Sequence, residues 1–268
     1  MLLFTNDKKR LARHFERDRV LFAYHLGDLD DFQSEHCQWA VTYQDTPRIQ
    51  DVILLYTGLS TPTLLAFGLG DRFGSFLEEM LQISPRKFHG HFQAEFRAVF
   101  QRAGYREQTY GSAWKMQLQR VPDDRIEPDD RIVRLDSSHE RQLLALYERG
   151  YPDNYFDRRM LVTGKYFGYV DEGQIVAVTG VHVDSDKYRV ACLGNIVTDP
   201  DYRGRGLATV LTARLVRELC SEEKTVCLNV MGDNLPAIRC YEKLGFVKVH
   251  EYEEALFTLI RKNNSAAR

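Results

Sequence analysis

The alternation of apolar and polar positions divides the first half of the chain into short helices and strands. Apolar residues recur at three-to-four spacing over Lys8–Phe22, which predicts a helix. Continuous apolar runs at Val52–Tyr56 and Thr63–Phe67 instead predict buried strands. The same criteria predict two more helices and two more strand segments: Asp71–Gln82 and Gln93–Ala103, then Gln38–Tyr43 and Tyr105–Gln119.

The second half repeats this mixture of elements. Strands are predicted at Ile132–Leu135, Phe167–Val170, Ile175–Val183, Arg189–Val197, Val226–Val230 and Phe246–Leu259. Helices are predicted at Ser137–Glu148, Gly206–Cys220 and Leu235–Leu244. Both halves therefore predict an α/β (α+β) arrangement.

A polar segment separates the two halves. Arg120–Asp130 holds two prolines and many charged residues, which is typical of a linker. The sequence therefore predicts one domain over 1–120 and another over 131–268. Phe100–Tyr105 and Tyr241–Phe246 match in character position by position, each with a helix end, a glycine and an aromatic residue. This echo suggests a duplication.

Composition narrows the class of protein. The 268 residues are 44% hydrophobic and 28% charged, which excludes disorder and a collagen or coiled-coil fold. The net charge of −2 predicts no global attraction to nucleic acid or to a membrane surface. Five cysteines without CxxC spacing argue against a zinc site or a disulfide framework. With no signal peptide and no membrane-length apolar run, we expect a cytoplasmic protein.

A glycine-containing loop follows the strand that ends at Ile196, Val197 and Thr198. Gly204 and Gly206 would let the backbone approach a ligand closely, and the helix that follows presents free N–H groups to it. The loop therefore suits a phosphate. A helix start flanked by solvated arginines explains the same residues equally well.

A second segment decides between these readings. Together, the two segments resemble the acyl-CoA signatures of the GNAT superfamily of N-acetyltransferases. The residues that carry the resemblance are Arg203, Gly206 and Ala208 in the first segment, and Asn234, Ala237, Tyr241, Gly245 and Phe246 in the second. The resemblance covers about residues 131–260 and implies tandem GNAT-like folds. Each would be a mixed, mostly antiparallel twisted sheet flanked by helices, with the acyl-CoA site in the C-terminal one.

The resemblance also implies which residues bind acetyl-CoA. The pyrophosphate would lie on the loop amides of Gly204, Arg205, Gly206, Leu207, Ala208 and Thr209. The strand end Ile196–Thr198 would diverge from the neighbouring strand Val226–Val230, and the pantetheine arm would occupy the gap like an added strand. The Val197 N–H would face the thioester carbonyl as an oxyanion donor. Asn234 would bind the arm or cap the next helix.

The resemblance assigns Tyr241 as the acid that protonates the departing CoA thiolate. The base is less defined. Some members use a glutamate where this chain has Asn229, an amide that cannot accept the proton. His182 titrates in the right range, and Asn195 could orient substrate or water; a water chain to a distant carboxylate is an alternative to both. The acceptor segment would be Tyr151–Arg158.

The leading hypothesis is transfer of an acetyl group from acetyl-CoA to a small-molecule or peptide amine by direct attack. One alternative is a longer acyl donor, because glycine N-acyltransferases share this layout. Another is a CoA-binding sensor without turnover. His89 and His91 have no cysteine or carboxylate nearby in the sequence, so we predict no metal. The N-terminal half has Phe100 at the echoing position and is predicted to be non-catalytic.

Overall fold

The computed structural model describes residues 2–30, 34–43, 48–122, 129–152 and 154–260. The chain divides into two compact units. Unit one holds the described residues up to Trp114, together with Met231–Asp233 and the residues from His250 onward. Unit two holds Lys115–Val230 and Asn234–Val249. The domain limits predicted from the sequence, 1–120 and 131–268, stay a prediction. Residues 123–128 of the predicted linker lie outside the described residues.

Unit one alternates strands and helices along most of its length. Its elements in chain order are β1 (Leu3–Phe4), α1 (Lys8–Phe15), α2 (Ala23–Asp28), β2 (Cys37–Tyr43), β3 (Ile49–Tyr56), β4 (Thr63–Ala66), α3 (Phe73–Ile83), β5 (Lys87–Phe92), α4 (Arg97–Arg102) and the first part of β6 (Tyr105–Leu118).

Unit two has a similar succession of elements. They are β7 (Ile132–Arg134), α5 (Glu140–Gly150), β8 (Phe167–Asp171), β9 (Gln174–Ser185), β10 (Val190–Thr198), α6 (Leu207–Ser221), β11 (Thr225–Met231), α7 (Leu235–Lys243) and β12 (Phe246–Leu259). The residues of β12 from His250 onward belong to unit one.

The two units share one strand arrangement. Unit one has the order β1-β2-β3-β4-β5-β12, and unit two has the order β7-β8-β9-β10-β11. Adjacent strands within each unit pair in antiparallel fashion, except the parallel pairs β4–β5 and β10–β11. Helices pack on both sheets, α1 and α3 against β3, and α5 and α6 against β9 and β10. The predicted fold class is confirmed. No helix in the described ranges is long and apolar enough to cross a membrane.

The first predicted helix is shorter than expected. It covers Lys8–Phe15 rather than Lys8–Phe22. Beyond its end the Asp18 carboxylate accepts a hydrogen bond from the Leu21 N–H at 2.9 Å, and His250 Nε2 lies 2.8 Å from the other Asp18 oxygen. Local side-chain bonds of this kind compete with helical hydrogen bonding, and they favour the turn that separates α1 from α2.

The internal echo is borne out by geometry. Helix α4 is followed by Gly104 at φ +89°, and helix α7 by Gly245 at φ +93°. An aromatic residue then begins a strand in each case, β6 at Tyr105 and β12 at Phe246. A Cβ at Gly245 would lie 2.2 Å from the Arg120 carbonyl oxygen, so both φ and space require glycine there.

Candidate active site

Strands β10 and β11 separate part of the way along their length. Their parallel register runs from Val190–Thr225 to Leu193–Leu228 and stops there. Both strands continue beyond this point, as Gly194–Thr198 in β10 and as Asn229–Val230 in β11. We call the space between these two segments the fork. The divergence that the sequence analysis expected at this place is observed, and it leaves backbone groups available to an extended ligand.

A β-bulge lies where the fork begins. Gly194 pairs with Gly180, and Val197 pairs with Val178, so two residues of β10 oppose one of β9. The first of the two, Asn195, has φ +54°. Asparagine tolerates this left-handed conformation better than most residues. The Asn195 side chain is buried, at 2% exposure.

The bulge changes which amides face the fork. The Asp199 N–H donates to the Val176 carbonyl at 2.8 Å, which marks a hydrogen-bonded pair. Hydrogen-bonded pairs alternate with non-hydrogen-bonded pairs along an antiparallel ladder. The pair of Val197 with Val178, two residues before Asp199, is therefore also hydrogen-bonded, and Thr198 between them belongs to a non-hydrogen-bonded pair. The Val197 N–H is therefore directed towards β9, not towards the fork as the sequence analysis expected. The Thr198 backbone groups are directed away from β9.

The glycine loop is open and positively charged. Gly204 and Gly206 have φ +78° and +77°, and a Cβ at either would meet no atom within 4 Å. Gly206 is also the N-cap of the 15-residue helix α6, whose first amides have no intrahelical partner. Arg203 reaches the carbonyls of Thr198 and Gly150, and Arg205 lies over the Tyr202 ring. Open space, free amides and two guanidinium groups fit a pyrophosphate.

Helix α5 contacts the start of this loop. Arg149 binds the buried Asp199 carboxylate through Nη2 at 2.6 Å and through Nε at 3.0 Å. A Cβ at Gly150 would lie 2.7 Å from Val197 Cγ2, so glycine allows the helix end to approach β10 closely. The loop is thus fixed to α5 at its first residues.

Tyr241 lies on α7 and is 8% exposed. Burial raises the pKa of its hydroxyl well above the ordinary range, and the neighbouring Cys240 and Tyr151 add to the shift. Its hydroxyl has no hydrogen-bond partner among the described residues. Cys240 Sγ lies 3.1 Å from Thr209 Oγ1, so α7 meets the first turn of α6. Tyr241 is therefore a buried, protonated hydroxyl on a helix that contacts the first turn of α6 through Cys240.

His182 lies beside the base of the fork. It is the extra residue of a second bulge, in β9, where the register with β10 shifts between Cys192 and Leu193. A Cβ at Gly194 would be 2.1 Å from His182 Nε2, so the imidazole rests directly on the β10 backbone. The Tyr155 ring, from the predicted acceptor segment, lies 6.4 Å from it at a T-shaped angle.

The other predicted residues have structural positions of their own. The Asn234 side chain accepts a hydrogen bond from the Ala237 N–H at 3.2 Å and caps α7. Asn229 is the first β11 residue beyond the last β10 pair, and its buried Nδ2 has no partner among the described residues. Leu207, Ala208 and Thr209 form the first turn of α6. Asp153 of the acceptor segment lies outside the described residues.

Two clusters have the residue types of metal ligands. Asp184, Asp186 and Glu222 come close together, but they surround the buried Lys224 ammonium, 2.7 Å from Asp186 and 2.8 Å from Glu222. A lysine ammonium therefore lies among these carboxylates and balances part of their charge. His89 and His91 lie on β5 in unit one, where Glu254 comes within 3.9 Å of His91.

The sequence analysis missed the side chains that hold the bulge. Tyr147 on α5 donates to the Asn195 carbonyl at 2.9 Å, and Tyr166 accepts from Asn195 Nδ2 at 2.9 Å. The available signal was a set of glycines in apolar strands, Gly180 and Gly194, since such glycines mark close approaches.

Comparison with known proteins agrees with this geometry. Residues 132–246 match the acetyltransferase (GNAT) family. A stretch of 71 residues is 41% identical to the [ribosomal protein bS18]-alanine N-acetyltransferase of Salmonella typhimurium. That stretch covers 26% of this chain and 45% of the enzyme, so the similarity spans about half of the curated relative.

Solved structures resemble almost the whole chain. An acetyltransferase of the GNAT family from Novosphingobium aromaticivorans aligns over 91% of this chain and 100% of its own, with a TM-score of 0.62 and 20% identity. A tandem GNAT protein from the clavulanic acid biosynthesis pathway aligns over 96% and 98%, with a TM-score of 0.57 and 13% identity. These similarities establish the fold. Residues 132–246 therefore constitute a domain of the GNAT acetyltransferase family.

Proposed function

We propose that this protein is an N-acetyltransferase that moves an acetyl group from acetyl-CoA to a primary amine by direct attack on the thioester. The observation that carries the proposal is the fork, which leads into an open glycine loop at the start of α6. The fork suits a pantetheine arm, and the loop suits the pyrophosphate. The acetylation of a protein amine named for the Salmonella relative supports an amine acceptor.

His182 is the proposed base. The amine must be neutral before it attacks, and an imidazole accepts a proton near neutral pH. His182 rests on Gly194, one residue before the bulge, and the centroid of the Tyr155 ring lies 6.4 Å from the centroid of its imidazole ring. An acceptor held by the Tyr155 segment would bring its nitrogen to this place. Positioning of the amine against the thioester would supply much of the rate enhancement.

Tyr241 is the proposed acid. Its pKa is raised by burial, so the hydroxyl carries its proton at neutral pH and can act as a donor. The CoA thiolate that leaves the tetrahedral intermediate is the proposed acceptor of this proton. The carbon–sulfur bond breaks as the new carbon–nitrogen bond is kept. The attached nitrogen loses its extra proton to solvent, and the departing thiolate takes the Tyr241 proton. Tyr241 and His182 then return to their starting states by proton exchange with solvent.

The proposal is tested first by calorimetric titration with acetyl-CoA. We expect wild type to bind at micromolar concentration and Gly206→Glu to lose binding, because a carboxylate there repels the pyrophosphate and fills its space. Gly164→Glu is the matched control, since Gly164 has φ +66° and a Cβ there would only approach Arg134 Nη1 at 3.9 Å. Equal loss in both variants would mean general backbone strain and contradict the loop assignment.

Turnover is measured next, with acetyl-CoA, an alanine-initiated peptide and a panel of small amines. Acetylation of any of these supports the proposal. Binding of acetyl-CoA without turnover of any amine would contradict it and indicate a CoA-binding sensor. Turnover with a longer acyl-CoA and none with acetyl-CoA would mean that the longer acyl-CoA is the acyl donor. No binding of wild type to acetyl-CoA would overturn the proposal as stated.

A further inference from the structure

The bulge at the base of the fork is held by a buried network that no part of the proposed chemistry uses. Its members are Asn195, Tyr147 and Tyr166, with exposures of 2%, 1% and 0%. Left-handed backbone at a residue with a side chain costs free energy, and such conformations persist only where the surroundings enforce them. Asn195 is therefore held in this conformation by its neighbours, at the place where the fork begins.

The side chain of Asn195 fixes the residue from one direction. Its Nδ2 donates to Tyr166 Oη at 2.9 Å and approaches Met160 Sδ at 3.5 Å. The Tyr166 hydroxyl in turn donates to the Val181 carbonyl at 3.0 Å. The tyrosine ring lies where a side chain of residue 180 would be, since a Cβ at Gly180 would be 2.2 Å from Tyr166 Cε1. Tyr166 thus connects the bulge to β9.

The backbone of Asn195 is fixed from another direction. The Tyr147 hydroxyl, on α5, donates to the Asn195 carbonyl at 2.9 Å. A peptide unit is planar and trans, so its C=O and N–H point in opposite directions. The bond from Tyr147 therefore sets the orientation of the whole Asn195–Ile196 peptide. The Ile196 N–H must point away from the Tyr147 hydroxyl.

We propose that Tyr147 and Tyr166 are positioning residues that lock the Asn195–Ile196 peptide so that the Ile196 N–H is an oxyanion donor to the acetyl carbonyl. This inference rests on the proposed function. It replaces Val197, whose N–H is directed to β9, with the adjacent residue in the bulge. An oxyanion donor acts through fixed orientation, so side chains that never touch the substrate control its contribution.

The first test reads the peptide directly in the ligand-free protein. Tyr147→Phe and Tyr166→Phe each remove one hydroxyl and keep the ring. Tyr169→Phe is the control, because its hydroxyl bonds Asp129 Oδ2 at 3.1 Å, outside the network. We expect the ¹⁵N–¹H amide resonance of Ile196 to move in the first two variants and to stay in place in the control. An unmoved Ile196 resonance in both network variants would overturn the inference, whether or not the protein is an enzyme.

The second test separates positioning from stability by steady-state kinetics. We expect kcat to fall roughly 10- to 100-fold in each network variant, because misplacement of a donor weakens transition-state stabilisation. The KM for acetyl-CoA and the affinity for free CoA should stay within about twofold of wild type, since the fork and loop are intact. A lower thermal midpoint with unchanged kcat would show a structural role only and overturn the inference.

Asn195 itself provides a check that does not depend on the tyrosines. Asn195→Gly keeps the left-handed φ but loses the bond to Tyr166, whereas Asn195→Ala loses both. We expect Asn195→Ala to lower kcat more than Asn195→Gly, with Tyr169→Phe near wild type. Equal kcat in all three would overturn the inference. Absence of turnover in wild type would instead overturn the proposed function, and with it the donor role of the Ile196 N–H. The Ile196 resonance would then still show whether the two tyrosines orient the Asn195–Ile196 peptide.

Discussion

The parallel strand pairs β4–β5 in unit one and β10–β11 in unit two differ in where their pairing ends. In unit one, β4 and β5 pair from Thr63–His89 to Ala66–Phe92, and these last residues end both strands. In unit two, β10 and β11 stop pairing after Leu193–Leu228, although both strands continue. The same topology therefore gives a closed strand pair in one unit and a fork in the other. Among the described residues, unpaired backbone therefore lies between the two parallel strands in unit two and not in unit one.

The loops that follow β4 and β10 also differ, because the first has its amides bonded within unit one and the second is surrounded by open space. In unit one, the buried Asp51 carboxylate accepts hydrogen bonds from the N–H groups of Leu69 and Gly70 at 3.3 and 3.2 Å. Gln93 Oε1 accepts a third, from Gly68 at 2.8 Å. Acceptors within unit one thus satisfy these amides, and a carboxylate lies at the corresponding place before a helix. In unit two, the space around Gly204 and Gly206 is open.

The third difference is the aromatic residue on α4 in unit one and on α7 in unit two. Phe100 stands in unit one where Tyr241 stands in unit two. Phe100 is fully buried and stacks on Phe257 with centroids 4.2 Å apart. In strand pairing, loop and helix residue, unit one lacks the feature that the proposed acyl transfer uses in unit two. One fold can therefore carry a site in one copy and only a core in the other.

The largest predicted effect on kcat comes from substituting this aromatic residue in each unit. We expect Tyr241→Phe to lower kcat roughly 10²- to 10⁴-fold, because it removes the proton donor to the thiolate. Phe100→Tyr should leave kcat unchanged but destabilise unit one by about 1–3 kcal/mol, since it buries a hydroxyl among aromatic rings. Initial-rate kinetics and denaturant unfolding measure the two effects.

Thermal stability is the control for Tyr241→Phe, whose melting temperature should remain near wild type. The comparison between the repeats would fail if Phe100→Tyr reduced kcat as strongly as Tyr241→Phe. It would also fail if Tyr241→Phe retained full activity at every pH tested, because the hydroxyl would then have no part in the chemistry.

The next largest predicted effect is a loss of unfolding free energy in acid, which should differ between the two units. His14 in unit one is 4% exposed, and burial lowers its pKa from 6.5 to about 4. The unfolded chain binds a proton below pH 6.5, whereas the folded unit does so only near pH 4. The stability contribution of neutral His14 is therefore complete above pH 6.5 and is lost as the pH falls to 4. The loss approaches about 3 kcal/mol.

The measurement is the difference in unfolding free energy between wild type and His14→Leu at several pH values. Burial raises the pKa of Asp28 to about 7 and acts in the opposite sense, so only a difference isolates His14. In unit two, the pKa of Glu218 is lowered to about 2 because Arg134 and Lys165 outweigh the effect of burial. That group loses its stabilising contribution only below pH 4.5. A pH-independent difference would contradict the His14 assignment.

The sequence was informative where chemistry and periodicity coincide. Gly206 stands out because a glycine loop before a helix suits a phosphate, and Tyr241 because its motif resembles a GNAT signature. Both roles stay predictions. The fold class followed from the succession of strands and helices. The end of the β10–β11 pairing could also be anticipated.

Register and long-range contacts could not be predicted. The bulge at Asn195 inserts one residue and changes which amides face the fork, and nothing in an apolar run reveals such an insertion. The Tyr166–Asn195 bond joins residues 29 positions apart. The assignment of His250–Leu259 to unit one depends on pairing with β5, which local sequence does not encode.

The smallest predicted effect concerns whether substitution of Asp51 allows unit one to bind acetyl-CoA. Asp51→Ala leaves the Leu69 and Gly70 amides without their acceptor, and we expect a cost of about 1–3 kcal/mol in unfolding free energy. Asp51→Asn keeps an acceptor oxygen and should cost less. Neither variant should gain a second acetyl-CoA site, because the β4–β5 pair stays closed to its last residue. Calorimetry should therefore give one equivalent per chain in both variants and in wild type. A second equivalent in Asp51→Ala would show that the carboxylate alone, and not the strand pairing, keeps unit one from binding the nucleotide.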